Sequence, residues 1–474
     1  MAGSGNKVFS ITDFKEGLDV RKTPLTAPGG SLRILENAVI NQGGEIEKRK
    51  AFVLTTTLPS QYLYLFGQAY SLHAFCVGSA PAIPQGNTPV PIVAHSLQAP
   101  AAQIIALIDV ETFNDKFFVC GHDASLNTYC WYDGLLVKEA DGSQSHGVYA
   151  RVWKSKMYRL DGAYLRFSGI NNPAQNDPAS VTEPGAGFIN MALNDGDAET
   201  LVGMEIYYGQ MAVMARLATQ MWTLNPDPTQ DTLGQLLRSG TQAPHSVVQF
   251  GTGDVLYLSD SGVRSLHAMN INLAASVEDV GSAIDPIISP VASSDPNIFY
   301  NAVAVVQPLQ GRYWLAIQNT IYVLSYFPAG DITAWSTFVP GFTVQRFARV
   351  QNQVYVHDTA GNVYLYGGAD HQTYDSSLVT VRTPHLSADS PTENKRIKSV
   401  DVMCQGQWAI NIGMLPNNTE AFELCATVQD NTYGLMSIPF AGYGTHFGLH
   451  MTHQAPGPAT LSAVHLNLQE GVVK

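Results

Sequence analysis

The sequence predicts an all-β protein: a β-propeller-like body of roughly six or seven blades, an N-terminal extension and a C-terminal β-sandwich-like domain. Three observations predict this class. Charged residues make up 14% of the chain, where an average globular chain has about 25%. Glycine (41), proline (26), tyrosine (21) and phenylalanine (19) are plentiful, as in chains of many short strands joined by turns. One hairpin pattern also recurs along most of the chain. The 474-residue length suggests two or three domains, and 45% hydrophobic residues supply a sizeable core.

Residues 1–54 read as the extension. Pro24, Pro28, Gly29 and Gly30 punctuate its start, and Ser31 is placed to cap a short helix over Ser31–Asn37. Ala38–Asn41, Gly43-Gly44 and Glu45–Phe52 then read as strand, tight turn and strand.

Residues 55–378 read as the propeller-like body. Seven hairpins recur: Tyr62–Phe66 with Tyr70–Val77, Lys116–Gly121 with Asn127–Trp131, Lys156–Leu160 with Tyr164–Phe167, Gln210–Ala215 with Gln220–Leu224, Asp254–Ser259 with Val263–His267, Gly311–Ile317 with Ile321–Tyr326, and Gln353–His357 with Val363–Tyr366. Asp and Gly at several of the turns suit positive φ and side-chain bonds to the local backbone. The turns lie about 38 to about 58 residues apart, which brackets the period of four-stranded propeller blades. A single blade cannot bury both faces of its sheet, and radial stacking of blades does. Two stretches, near 80–102 and 171–197, read as long projecting loops. Ser276–Asp295 has room for a short helix.

Residues 379–474 read as the sandwich-like domain, with alternation in Val400–Met403, Trp408–Met414, Phe422–Val428 and Leu461–Leu468. The last of these strands is also free to pair back onto the body.

The formal net charge of −13 excludes bulk, non-specific grip on a phosphate backbone. Five cysteines without a CxxC pair argue against a disulfide framework and fit a reducing compartment; Cys120 and Cys130 flank one hairpin. There is no apolar run of about 18 residues, so no membrane span is expected. The opening MAGSGNKVFS has no apolar signal core, so no secretory leader is expected.

Candidate chemistry is sparse, and the chain reads as a non-enzyme with no cofactor. Asp195, Asp197 and Glu199 are spaced like a loop metal site without the glutamate that completes a calcium loop, and read as a solvated loop. His446, His450 and His453 would align on a helix and hold zinc there, but the surrounding glycines and prolines argue against a helix. The string SDSG at Ser259–Gly262 is similar to the Asp-box turn of propeller sialidases without its aromatic, so Asp260 reads as a turn former. Two basic clusters stand out in a chain poor in charge: Lys48, Arg49 and Lys50, and Lys395, Arg396 and Lys398. They are either solvated faces or docking patches for an acidic partner.

Gly17–Asp19 is followed by Pro28-Gly29, Leu35, Asn37-Ala38, Gly44 and Glu47-Lys48-Arg49, and R-x-K-x-V-x-V (Arg396–Val402) introduces the last domain. This layout resembles the tail-nozzle, or packaged-DNA stabilisation, family of short-tailed bacteriophages. The resemblance covers most of the chain in architecture and about forty residues in motif. It implies a virion protein assembled in the host cytoplasm as a hexameric ring below the head-to-tail adaptor. The ring would extend the DNA channel, retain the genome, serve its ejection and offer surfaces to the tail needle, fibre or spike proteins. Genomic DNA would pass through the lumen without sequence-specific binding. The alternatives are a carbohydrate-binding or glycan-degrading propeller and a general protein-interaction propeller.

Overall fold

A computed structural model describes residues 6–139, 141–176, 185–192, 199–251, 253–268, 275–429 and 437–470. All seven expected hairpins form: five are the centre of a four-stranded antiparallel sheet, the first belongs to a three-stranded sheet, and the sixth belongs to an eleven-stranded one. The reason is local: period-two alternation gives each hairpin two apolar faces, and a tight turn fixes its register. Blades lie at 64–97, 104–136, 148–190, 203–237, 248–278 and 303–338, and a seventh begins at 344. Their inner strands are Tyr64–Gln68, Ile104–Phe113, Val148–Trp153, Gly203–Tyr207, Val248–Phe250, Val303–Gln307 and Val344–Val350. Each inner strand touches the next, and the seventh touches the first. The body is therefore a closed, seven-bladed β-propeller.

Packing explains the hydrophobic runs in the central strands. Alternate residues of one strand enter two different cores. In the second blade Val119 and Trp131 face the first blade, while Phe118, Cys120 and Cys130 face the third. In the fourth, Met211 and Val213 meet the third blade, and Ala212 and Met214 meet the fifth. Two further cores lie between the sixth and seventh blades and between the seventh and first. The largest core, between the fifth and sixth, runs on into the C-terminal strands.

The seventh blade is completed by the N-terminal strand Phe52–Thr57, which pairs with Asn362–Tyr366. Residues 6–48 do not stand apart as an extension. Asn6–Ile11 pairs with Thr460–Glu470, and Ile46–Lys48 joins the same sheet through Leu461. The expected helix over Ser31–Asn37 is instead two short strands, Ser31–Leu32 and Ile34–Glu36. Ser31–Leu32 lies parallel to Gly17–Leu18, and Ile34–Glu36 lies antiparallel to Val379–Arg382. Long-range pairing takes the backbone bonds that a helix would have used. Gly17 is required where it stands: its φ is 59°, and a Cβ would meet the Ala334 Cβ and Trp335 oxygen at 2.8 Å.

The C-terminal residues form two packed sheets. One contains Ile438–Gly444, Lys395–Gln405 and Thr460–Glu470; the other contains Val379–Arg382, Gly448–His453, Trp408–Gly413 and Glu423–Val428. Ile34–Glu36 connects the second sheet edge to edge with the sixth blade at Thr337. The last strand pairs with Lys395–Gln405 and with the N-terminal strand rather than with a blade.

The stretch 80–102 is only partly a loop. Ile92–Leu97 is the third strand of the first blade, parallel to Ser71–Val77. Gly187–Asn190, from the other expected loop, is the outer strand of the third blade. A helix does occur in the interval expected for one, at Asp285–Ser294.

Candidate functional site

The N-terminal motif builds a joint rather than an exposed patch. Asn37 is buried with φ 56°, a conformation its short polar side chain tolerates. Its Nδ2 donates to the Leu378 oxygen at 2.8 Å. Its Oδ1 accepts from Arg49 Nε at 2.9 Å and from the Val339 N–H at 3.0 Å. Arg49 Nη1 reaches Asp375 Oδ2 at 3.1 Å, and its guanidinium lies over Phe52 in the closing strand. Lys48 Nζ donates to the Asp375 and Ala455 oxygens at 2.6 and 2.9 Å. One cluster thus holds the sixth blade, the closing strand and the C-terminal sheets together. Burial pushes the Lys48 ammonium below its ordinary value, partly offset by Asp375. Asp19 of the same opening accepts from Arg21 N, Nε and Nη2. Burial would raise its carboxyl, but those bonds hold it below the usual range.

A docking role for the two basic clusters does not survive at most positions. Lys48, Arg49 and Lys395 are 1%, 3% and 0% exposed. Lys395 Nζ donates to the Ser390, Glu393 and Thr445 oxygens, and half-buried Lys50 donates to the His371 oxygen. Cations in a low-dielectric setting need such partners, and here backbone carbonyls supply them. Arg396 and Lys398 do lie on the surface, with the Arg396 guanidinium over the Tyr443 ring at 5.6 Å.

Near the propeller axis lies a charged network. Arg151 Nη1 is 3.0 Å from Asp109 Oδ2 and 3.8 Å from Glu111 Oε2, and its Nε is 3.3 Å from Glu205 Oε2. These residues come from the inner strands of the second, third and fourth blades. Burial pushes the Glu111 carboxyl up to about 7, against the opposing pull of Arg151.

One segment reaches across an end of the channel. Residues 295–301 lead into the sixth blade, yet the Tyr300 hydroxyl reaches that of Tyr149 in the third blade, at 3.2 Å. Beneath this crossing is a cavity of about 540 Å³, lined by Ile105, His122, His245, Ile298, Gln345 and Arg346 among others. His245 packs edge-on against Tyr149; burial, with Arg346 and Arg151 adding to it, pushes its imidazole well below its ordinary value.

The three C-terminal histidines do not converge. The rings of His450 and His453 face Phe422 and Trp408 respectively, His453 is bound by the Gln407 and Ala455 oxygens, and His446 meets its neighbour Thr445. Asp195 and Asp197 lie outside the described residues, and Glu199 accepts from the Leu217 N–H. Asp260 sits in a two-residue turn, but its carboxylate goes to Arg216 of the preceding blade at 2.8 Å.

A repeat that periodicity alone overlooks occupies the turns of the second and seventh blades. Asp123 and Asp358 each accept from two turn N–H groups, from an Asn Nδ2 four residues on and from a Tyr hydroxyl six residues on. The signal D-x3-N-x-Y is present in the sequence at Asp123/Asn127/Tyr129 and at Asp358/Asn362/Tyr364.

No family model and no curated protein matches the chain. Among solved structures it is similar to BamB from Moraxella catarrhalis at 10% identity and TM-score 0.37, covering 67% of this chain and 97% of that one. It is also similar to the Neurospora crassa Pan2 WD40 domain at 9% identity and TM-score 0.31, covering 70% and 88%. The computationally designed Ika8 protein matches at 9% identity and TM-score 0.35, covering 74% and 99%. The blade count rests on the strand pairings above, not on these likenesses.

Proposed function

We propose that this chain is a non-enzymatic structural protein of a virion tail, a nozzle or hub assembled in the host cytoplasm. In this reading six copies form a ring below a head-to-tail adaptor, retain packaged DNA, serve its ejection and carry needle, fibre or spike proteins. The observation that supports it best is the place of the N-terminal motif. Asn37 and Arg49 lock the closing strand, the sixth blade and the C-terminal sheets into one unit. A part that passes force between tail neighbours needs such a joint, whereas a swinging binding module does not. Residues 295–301 reach across one end of the propeller to the third blade, and in this reading DNA runs between subunits. The net charge of −13 then repels the duplex and lets it slide. The exposed Arg396–Tyr443 face is the candidate docking surface, and closure of the ring demands a head-to-tail interface.

Native mass spectrometry of the purified chain, alone and with a candidate adaptor, tests this. A closed ring, free or formed on the adaptor, is expected. A monomer that ignores the adaptor would overturn the reading. The channel-mouth cavity favours a second reading, a glycan-binding propeller, which a glycan array would detect.

A further inference from the structure

Cys120 and Cys130 stand directly opposite each other on the two central strands of the second blade. Asp123 N donates to the Asn127 oxygen and Asp133 N to the Phe117 oxygen. Antiparallel alternation between these bonded pairs makes Cys120/Cys130 a non-hydrogen-bonded pair. Cα atoms at such pairs approach to about 4.5 Å, within the span a disulfide bridges. The two sulfurs are 3.9 Å apart, and both side chains are fully buried.

A buried cation stands beside them. Arg159 is 1% exposed. Its Nη1 meets Cys130 Sγ at 3.8 Å and also Ser145 Oγ; its Nη2 donates to Asn176 Oδ1 at 2.6 Å, and its Nε has no partner among the described residues. No carboxylate pairs with Arg159 among the described residues. Asp161 and Asp109, the acids whose charge reaches the two thiols, are engaged by Arg166 and Arg151. A buried guanidinium favours an anion beside it, and a thiolate at Cys130, whose sulfur is 3.8 Å from Nη1, would supply one.

We propose that Cys120 and Cys130 form a modification site, a dithiol that a peroxide-class oxidant closes to a disulfide, with Arg159 holding Cys130 as the attacking thiolate. Burial alone would raise the Cys130 thiol, but the hydrogen bond from Cys120 and the charge of Arg159 outweigh it and lower it. The Cys130 thiolate attacks one peroxide oxygen, the O–O bond breaks, and hydroxide leaves. The Cys120 thiol then attacks the sulfenic sulfur, its proton goes to the departing hydroxyl, and water leaves as the S–S bond forms. One thiolate, one thiol and hydrogen peroxide give a disulfide, one water and one hydroxide. The product staples the centre of one blade. The site stands independently of the tail reading.

The test treats the folded full chain with dilute hydrogen peroxide, then counts thiols and maps peptides under non-reducing conditions. Two of the five thiols are expected to disappear, with a mass loss of about 2 Da and a cross-linked peptide pair containing Cys120 and Cys130. Dithiothreitol should reverse the change, and Cys120→Ser should stop it at a single oxidised thiol. Arg159→Gln should slow closure several-fold at neutral pH and much less near pH 9, while Arg159→Lys keeps most of the rate. Should Arg159→Gln misfold, the lysine variant and the wild-type pH profile carry the arginine test. Five intact thiols, or cross-links among other cysteines, would overturn the site. A wild-type rate that keeps rising with pH like that of an ordinary thiol would overturn the role of Arg159.

Discussion

Asn37→Ala should loosen the C-terminal sheets from the propeller. The side chain makes three hydrogen bonds: to the Leu378 oxygen, from the Val339 N–H and from the charged Arg49 Nε. Neutral bonds contribute about 1 kcal/mol each and the charged one about 2, so their loss amounts to about 4 kcal/mol. Alanine must also hold φ 56°, which adds about 1 kcal/mol that asparagine largely escapes. Two further variants divide the total. Asn37→Gly relieves the backbone alone, so it should sit about 1 kcal/mol above alanine. Asn37→Asp keeps the acceptor for Arg49 and Val339 but sets a carboxylate oxygen against the Leu378 oxygen, so it should fall between the wild type and alanine. Chemical denaturation gives the energies. Limited proteolysis of the 367–378 connection reports where the chain opens, since Leu378 lies at its end. A loss below about 1 kcal/mol for alanine would refute the reasoning, as would an aspartate variant no better than alanine.

Other consequences follow from the channel and the turns. Arg151→Met leaves Asp109, Glu111 and Glu205 without their shared cation and should cost about 3–5 kcal/mol above neutral pH, and less in acid; denaturation at several pH values checks this. Glu111 has a folded-state value raised to about 7 from the usual 4.5, so the folded chain binds the extra proton. Its contribution to stability is therefore complete below 4.5 and is lost as pH rises to about 7, and Glu111→Gln should flatten the stability profile over that window. Asp358→Ala removes four acceptor contacts in the last hairpin turn and should speed amide exchange at Ala360 and Asn362 without opening the third blade.

The hairpins were legible because everything that specifies them is local. Val354, Tyr355 and Val356 alternate between two cores, and Asp358–Gly361 turns the chain within reach of its own side chains. The same holds for Tyr313–Ile317 and for the turn before Ile321. Less was legible where a strand finds its partner far away. Phe52–Thr57 pairs with residues about three hundred positions later, and nothing in FVLTTT says whether it closes a blade or ends an extension. Ser31–Asn37 carries a plausible helix cap, yet Ile34–Glu36 takes its bonds from Val379–Arg382. The basic clusters mislead for a related reason. Composition places Lys48, Arg49 and Lys395 on the surface, and only the assembled sheets supply the carbonyls that let them be buried. The sequence by itself determined the all-β class, the hairpin count and the Asp-based turns, because backbone preference, alternation and turn chemistry act over a few residues. Tertiary structure alone decided which strand closes the ring and which cations are buried. Those outcomes depend on burial and on hydrogen bonds between segments that are strangers along the chain.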